Sequence, residues 1–196
     1  MELMQRICWN SETTREEVDM FLELLEKYPG ACDDVWMCSK YGFPPMEVHK
    51  EYASRLAVEA ERIRKKHVKV SMQLSNTLGH GDRTGENLDC SGLVFEGSPA
   101  EKLVGHDGVE AKFGFCWRGR HFRDYMLEQV RQYMVVQPEN LWIDDDLRPD
   151  NHRPVLYGCF CDHCIATFNR QYDSSFDREQ LVREILYGDR VWRRRY

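Results

Sequence analysis

Residues 34–74, DVWMCSKYGFPPMEVHKEYASRLAVEAERIRKKHVKVSMQL, decide how this chain folds. The stretch opens on Asp34–Cys38, a short apolar run of strand length, and passes through the loop Tyr41–Pro45. Pro45 suits the start of a helix, because its fixed φ and missing N–H cost nothing in a first turn, and the helix runs to about Lys66. Val68–Leu74 is strand-like again, alternating at its start and otherwise largely apolar. Strand, helix and strand in direct succession are the unit of a parallel sheet.

The same rhythm continues outward on both sides. Upstream, Gln5–Trp9 reads as a short apolar strand followed by Asn10–Ser11. Thr13-x-x-Glu16 is a capping-box pattern. Val18, Phe21, Leu22, Leu24 and Leu25 then recur at helical spacing until Tyr28-Pro29-Gly30 stops them. Downstream, residues 75 to about 118 hold eight glycines with no strong period, which predicts one long loop, and loops of that length are usually functional or mobile. Phe122–Val136 resumes helical spacing. Leu141–Ile143 is a fourth strand, a helix runs from about Asp162 to Tyr172, and further helix follows from Asp177. The closing LVREILYGDRVWRRRY reads as helix broken only at Gly188.

Four strand-then-helix units predict an α/β fold with a parallel sheet and right-handed crossovers. The turn after the first strand, WNSETT, lacks the glycines that cradle phosphates, which weighs against the nucleotide-binding open sheets. The expected architecture is a partial (β/α)₈ TIM barrel made of its first four βα units. Residues 1–196 are then one domain, the N-terminal half of a barrel, cut before closure. Such a half would leave Ile7, Val35, Met37, Val70, Met72 and Ile143 facing an absent wall. That predicts pairing of two copies into a homodimer through the half-barrel edges.

Bulk properties narrow the functional classes. Of 196 residues, 42% are hydrophobic and 31% charged, the balance of a globular chain. The net charge of −6 argues against general nucleic-acid binding. The basic run Arg193–Arg195 reads as a solvated helix face. No apolar run approaches the roughly 20 residues of a membrane span, and MELMQRICWN has no signal-peptide core. The expectation is a cytoplasmic protein with neither a membrane nor a nucleic-acid partner.

Two clusters carry chemistry. Cys159-Phe-Cys161-Asp-His-Cys164 places three thiols within one turn and the first turn of a helix. In a reducing compartment such clustering points to a metal rather than to disulfides. Four cysteines around zinc form a closed, structural tetrahedron with no position for water. For the fourth ligand, His163 stands adjacent to Cys164 and so converges poorly on the same ion, which makes Cys116 the better candidate. The second cluster is Leu141-Trp-Ile-Asp-Asp-Asp146, an apolar strand ending in three carboxylates. Parallel α/β folds bind ligands at the carboxyl ends of strands. Crowded carboxylates raise one another's pKa, as a general acid requires. A solvated acidic turn reads the same residues equally well.

Residues 113–170 resemble a known family. Family 42 glycoside hydrolases of clan A, the β-galactosidase type, end their fourth strand in Trp-x-Ile/Val-Asp-Asn-Glu. They follow it with Cys-x-Cys-x-x-Cys and an aromatic-rich helix. Here Trp142-Ile143-Asp144-Asp145-Asp146 is similar, with the Trp one place closer to the acids. Cys159-Phe-Cys161-Asp-His-Cys164 and Ile165-Ala-Thr-Phe168 follow it. An earlier cysteine of the family has its counterpart in Phe113-Gly-Phe-Cys116-Trp-Arg-Gly-Arg-His-Phe122-Arg123. The resemblance implies a structural zinc held by Cys116, Cys159, Cys161 and Cys164. It implies a carbohydrate substrate cleaved at an O-glycosidic bond with retention, Asp146 at the position of the acid/base Glu and Asp145 at that of the Asn. Aspartate is one methylene shorter than glutamate. Its carboxyl sits about 1 Å further from the glycosidic oxygen, a displacement that costs on the order of 10²-fold in rate. The family's nucleophile belongs to a seventh strand that these residues do not contain, and retaining enzymes need both carboxyls.

Substrate-binding candidates on the predicted active face are Asp144, Trp36, Asn76, His80, Arg148 and His152, with Tyr41 beside Trp36. Aromatic platforms meet the apolar faces of sugar rings and polar groups meet hydroxyls, although core packing also explains Trp36. Two other readings compete. One is a non-catalytic carbohydrate-binding or partner-binding barrel that kept the zinc and lost the acid/base Glu. The other is a metal-dependent hydrolase using Asp144–Asp146 with His152 or His80, which needs a second metal with oxygen and nitrogen ligands.

Overall fold

The structure, a computed structural model, describes residues 2–9, 13–95, 98–144 and 153–196. Its elements in chain order are β1 (Met4–Ile7), α1 (Arg15–Lys27), β2 (Asp34–Cys38), α2 (Met46–Arg64) and β3 (Lys69–Leu74). The strands β4 (Val94–Phe95), β5 (Ser98–Pro99), β6 (Lys102–Val104) and β7 (Glu110–Phe115) come next. After them come α3 (Arg120–Tyr133), a 3₁₀ turn over Met134–Val136, β8 (Leu141–Ile143), α4 (Asp162–Tyr172), α5 (Arg178–Leu186) and α6 (Arg190–Arg195). The chain divides into two compact units, Met1–Thr77 with Tyr125–Asp145, and Leu78–Asp124 with Asp146–Tyr196.

The first unit is the parallel α/β layer that the strand-helix rhythm predicts. Its sheet has the order β1-β2-β3-β8, all neighbours parallel, as in the first half of a (β/α)₈ barrel. Helix α1 begins one residue later than the sequence pattern places it. Thr14, not Thr13, caps it, its Oγ1 accepting from Glu17 N at 3.2 Å while Glu17 Oε2 accepts from Thr14 N at 2.7 Å. Both Thr13-x-x-Glu16 and Thr14-x-x-Glu17 satisfy the motif. The buried set Val18, Leu22 and Leu25 selects the second, because it turns those side chains onto the sheet. On α2, His49, Tyr52, Ala53, Leu56, Ala60 and Ile63 form the buried stripe at spacings of three and four.

The sheet corrects one expectation. Ile7, Val35, Met37, Val70 and Met72 do not face an empty barrel axis. They form one core with Val18 and Leu22 of α1, Leu56 and Ile63 of α2, and Tyr133 of α3. Ile143 lies outside that core, 54% exposed. Alternation in Val68–Leu74 separates two faces but does not say which of them the helices cover, and the apolar face went to the barrel axis instead. The opposite face carries Asp34, Trp36, Ser71, Gln73 and Trp142, in line across the strands by register. The ground for expecting a homodimer was the exposure of those apolar side chains, and for the five that pack under the helices it does not arise.

In the second unit the predicted long loop contains short hairpins. Strands β6 and β7 pair antiparallel around a turn in which Gly105 N donates to Val109 O and Gly108 N to Gly105 O. Gly108 has φ +81°, so the Asp107-Gly108 pair is the turn signal here. Strands as short as β4, β5 and β6 give no measurable period. Gly79, at φ +92°, bridges Gly114, and a β-carbon there would run into the Phe113 carbonyl. Downstream, Phe160, Ile165, Phe168, Leu181 and Ile185 make a separate core with Trp192 and Tyr196 against it. Helices α5 and α6 part at 187–189, where Gly188 sits and Asp189 caps α6. The Arg193–Arg195 run is not only a solvated face. Arg193 donates to the Ile185 and Leu186 carbonyls at 2.7 and 2.8 Å, and Arg195 lies over Tyr172 and Trp192.

Leu56, fully buried between α2 and the sheet, reports on the first unit. Leu56→Ala is expected to lower unfolding free energy by about 2–5 kcal/mol, and Thr14→Ala by about 0.5–2 kcal/mol. Urea denaturation followed by Trp fluorescence checks both, and the reverse order of severity would contradict this core.

Candidate metal centre and strand-end site

The cysteine cluster closes as the spacing suggests. Cys116 follows β7, in a turn where its carbonyl accepts from Gly119 N and its N–H donates to Glu101 O. Cys159 lies in the loop ahead of α4, Cys161 is the α4 N-cap and Cys164 sits in its first turn. All four sulfurs lie within 4.8 Å of one another. Cys116 is 3.4 Å from Cys164 and 3.8 Å from Cys161. A zinc tetrahedron with Zn–S bonds of ~2.3 Å requires edges of roughly 3.8 Å, so this set fits the ion. Cys116, Cys159 and Cys164 are buried and Cys161 is half-buried. Val104 N donates to Cys159 Sγ at 3.4 Å, and the Cys164 backbone N–H helps to hold the Cys161 thiol down. His163 is exposed and outside the group.

The electrostatics say the same. Contact with its neighbouring sulfurs pushes the Cys116 and Cys164 thiols up, and the same contacts hold Cys161 and Cys159 down. Four buried sulfurs cannot all ionise beside one another, so the crowd keeps protons until a cation replaces them. The site is geometrically capable of holding a metal ion. Bound zinc would have four sulfur ligands and no open position, which makes it a fold-stabilising ion rather than a catalytic one.

The strand-end site is divided. Trp36 and Asp144 belong to the first unit, as does Asn76, whose Oδ1 accepts from Gly42 N at 2.7 Å and so braces the loop after β2. His80 belongs to the second unit, where its N–H donates to Phe113 O. Asp145, Asp146, Arg148 and His152 lie outside the described residues. Among those described, the four cysteines form the only group that could hold a metal. A groove of about 450 Å³ on the helical side is crossed by its own ion pairs, Arg62–Asp19 and Lys66–Glu26.

The open sheet face holds residues that the sequence reading did not single out. Register sets Arg6 beside Trp36 and Ser71, and Cys38 beside Gln73 and Trp142. Trp36 and Trp142 meet edge to face with ring centroids 5.1 Å apart. Ser71 Oγ donates to Asp34 Oδ2 at 2.6 Å, and Asn140 Nδ2 donates to Ser71 Oγ at 3.3 Å. Asp34 Oδ1, Trp36 Nε1 and Gln73 Oε1 are buried without a partner among the described residues. One donor and two acceptors on one face, each costing about 1–3 kcal/mol if left dry, need hydroxyls or water. The signal available in the sequence was polar Ser71 and Gln73 inside VKVSMQL.

No protein-family model matches the chain, and no curated protein matches it significantly. Among solved structures, a noncanonic maltogenic alpha-amylase AmyB from Thermotoga neapolitana is similar with a TM-score of 0.44 at 13% identity, covering 76% of this chain. This chain spans 40% of the length of that structure.

Elemental analysis of the purified chain is expected to find one zinc per molecule. Cys116→Ser should weaken zinc binding at least about a hundredfold, with His163→Ala neutral. Binding should also weaken as pH falls, because protons compete for the thiolates. Stoichiometric zinc retained by Cys116→Ser would remove Cys116 from the site.

Proposed function

We propose that this chain is the N-terminal, sugar-binding half of a glycoside-hydrolase-type barrel of the family 42 kind. The observation that carries this reading is the polar and aromatic face of the sheet opposite the helices, with Trp142 37% exposed on it. Near its carboxyl end Trp36 and Trp142 stand against each other, with Asp144 one residue beyond Trp142's neighbour and the unsatisfied Trp36 Nε1 and Gln73 Oε1 beneath. A pyranose offers what that face lacks. Its C–H faces pack on indole rings, and each hydroxyl both donates and accepts.

In the complete barrel, Asp146 is the proton donor to the leaving oxygen and Asp145 positions the sugar beside it. The carboxylate nucleophile comes from a later strand, as retention requires two carboxyls about 5–5.5 Å apart. Asp144 and Trp36 hold the ring, and Asn76 braces the loop after β2. The zinc at Cys116, Cys159, Cys161 and Cys164 has a structural part only. The shorter acid at position 146 favours a second reading, a barrel that binds sugar without cleaving it.

Titration of the full chain with galactose and a panel of monosaccharides, read by Trp fluorescence and calorimetry, tests the shared part. Trp36→Ala should weaken binding at least about tenfold, the loss of roughly one buried aromatic contact. Tyr187→Ala, an exposed aromatic of the second unit, should leave it unchanged. No saturable binding of any sugar would end the reading. In the polypeptide carrying both carboxyls, Asp146→Asn should lower kcat on an activated aryl galactoside by at least about 10²-fold. A change within about threefold would assign the proton elsewhere, and no turnover by the parent at all would favour the binding-only barrel.

A further inference from the structure

One pair of nucleophilic side chains belongs neither to the zinc cluster nor to the sugar-binding set. Cys8 follows β1, and Cys38 closes β2. The register Arg6↔Trp36 and Ile7↔Met37 continues to set the two cysteines opposite each other. Their sulfurs lie 2.8 Å apart, already in contact though not bonded. Neighbouring strands run about 4.8 Å apart, inside the range of about 4.4–6.8 Å between α-carbons that a disulfide spans. The bond can therefore close without moving either strand.

The surroundings are those of a reactive pair rather than of two packed thiols. Cys8 is exposed and Cys38 is 4% exposed, so a solute meets Cys8 ahead of Cys38. Arg6 Nε donates to Cys38 Sγ at 3.4 Å and keeps a positive charge beside both sulfurs. Asp144 lies close enough to strengthen that charge. Burial pushes the Cys38 thiol up to about 11, with Cys8 adding to it and Arg6 opposing it, so Cys38 rests protonated. Cys32, by contrast, donates to the Asp34 carbonyl at 3.2 Å and has no sulfur neighbour of this kind.

We propose that Cys8 and Cys38 are a redox-active dithiol, oxidised by small hydroperoxides to a disulfide at the carboxyl edge of the sheet. The Cys8 thiolate attacks the terminal peroxide oxygen. The O–O bond breaks, the departing alkoxide or hydroxide takes a proton, and Cys8 becomes a sulfenic acid. The Cys38 sulfur then attacks the Cys8 sulfur. The S–O bond breaks, and the hydroxyl leaves as water with the proton from Cys38. Two thiols lose two electrons to one peroxide. Arg6 steadies the negative charge that develops on Cys38. Because the second step joins groups already in contact, it outruns over-oxidation of Cys8. An external dithiol reverses the bond by exchange. The pair does not depend on what the sheet face binds.

Peptide mapping of the full, zinc-loaded chain tests this. The reduced protein is exposed to hydrogen peroxide, alkylated and digested with trypsin, which leaves Cys8 in residues 7–15 and Cys38 with Cys32 in residues 28–40. The expected product is a single cross-link between these peptides, assigned by fragmentation to Cys8 and Cys38 and removed by dithiothreitol. It should form at least about tenfold faster than Cys32 is oxidised. Cys32→Ser should leave it intact, and Cys38→Ser should halt Cys8 as a sulfenic acid that dimedone traps. Complete alkylation of both residues after peroxide, sulfinic acid at Cys8 in the unaltered chain, or a cross-link to Cys32 would each overturn the proposal. The unaltered protein alone decides, so no variant that misfolds can obscure the answer.

Discussion

The pairing of β2 with β3 is the constraint on which the first unit depends. Its register sets Val35 beside Val70 and Met37 beside Met72, and all four enter the core under the helices. A slip of β3 by one residue would turn Val70 and Met72 to the other side and drive Ser71 and Gln73 under the helices. Burying that polar set against aliphatic side chains without partners would cost several kcal/mol. The hydrogen bond from Ser71 to Asp34 locks the same register from the other face, because it exists only when these two strands stand as they do. The tryptophan pair inherits its position from this alignment together with that of β3 on β8, and the thiol pair inherits its own from β1 on β2.

The second unit rests on a different principle. Among the described residues one of its apolar clusters, Leu103, Ala111 and Val155 with Cys116, Cys159 and Cys164, is built around the cysteines themselves. A cluster made half of thiols contributes little burial for its size, and small domains in that position rely on a staple. An ion bound by four sulfurs joins the turn after β7 to the start of α4 and closes the long stretch of chain between them. Loop closure of that kind stabilises chiefly by restricting the unfolded chain. His163, one residue from a ligand, stays in solvent because a helix turns adjacent side chains about 100° apart, so only every third or fourth residue of its first turn can share the ion.

Local and patterned features were legible in the sequence. The range Asp34–Cys38 coincides with β2 and Asp162–Tyr172 with α4, because an apolar run between turn residues and a capped helix are complete within their own span. Cys116 was legible too, as the thiol missing from an otherwise open triad. The face of the strands was not legible. Val35 and Met37 stand among apolar Trp36 and Cys38, so β2 carries no phase, and although Val70, Met72 and Leu74 alternate with Lys69, Ser71 and Gln73, a sheet alone does not say which face meets the helices. The hairpin of β6 and β7 escaped because the three residues of β6 cannot show a period and Gly114 breaks the pattern of β7, although Asp107-Gly108 marked its turn. The capping threonine was ambiguous between Thr13 and Thr14 until the core chose the helical phase.

The candidate strand-end site was the least legible part, for a reason specific to sheets. A helical or metal-binding motif gathers its residues within one stretch of chain, as Cys159-Phe-Cys161-Asp-His-Cys164 does. A row across a parallel sheet takes one residue from each strand. Cys8, Cys38, Gln73 and Trp142 become neighbours only once three registers are fixed, each across a crossover that holds a helix. None of the four is conspicuous where it stands: Gln73 is a polar interruption in a strand, and Cys8 a lone thiol before Trp9. The row puts an exposed thiol at one end and an indole at the other, with a buried amide oxygen lacking a partner between them. Functional chemistry in such folds is written across the strands, at right angles to the direction in which a sequence is read.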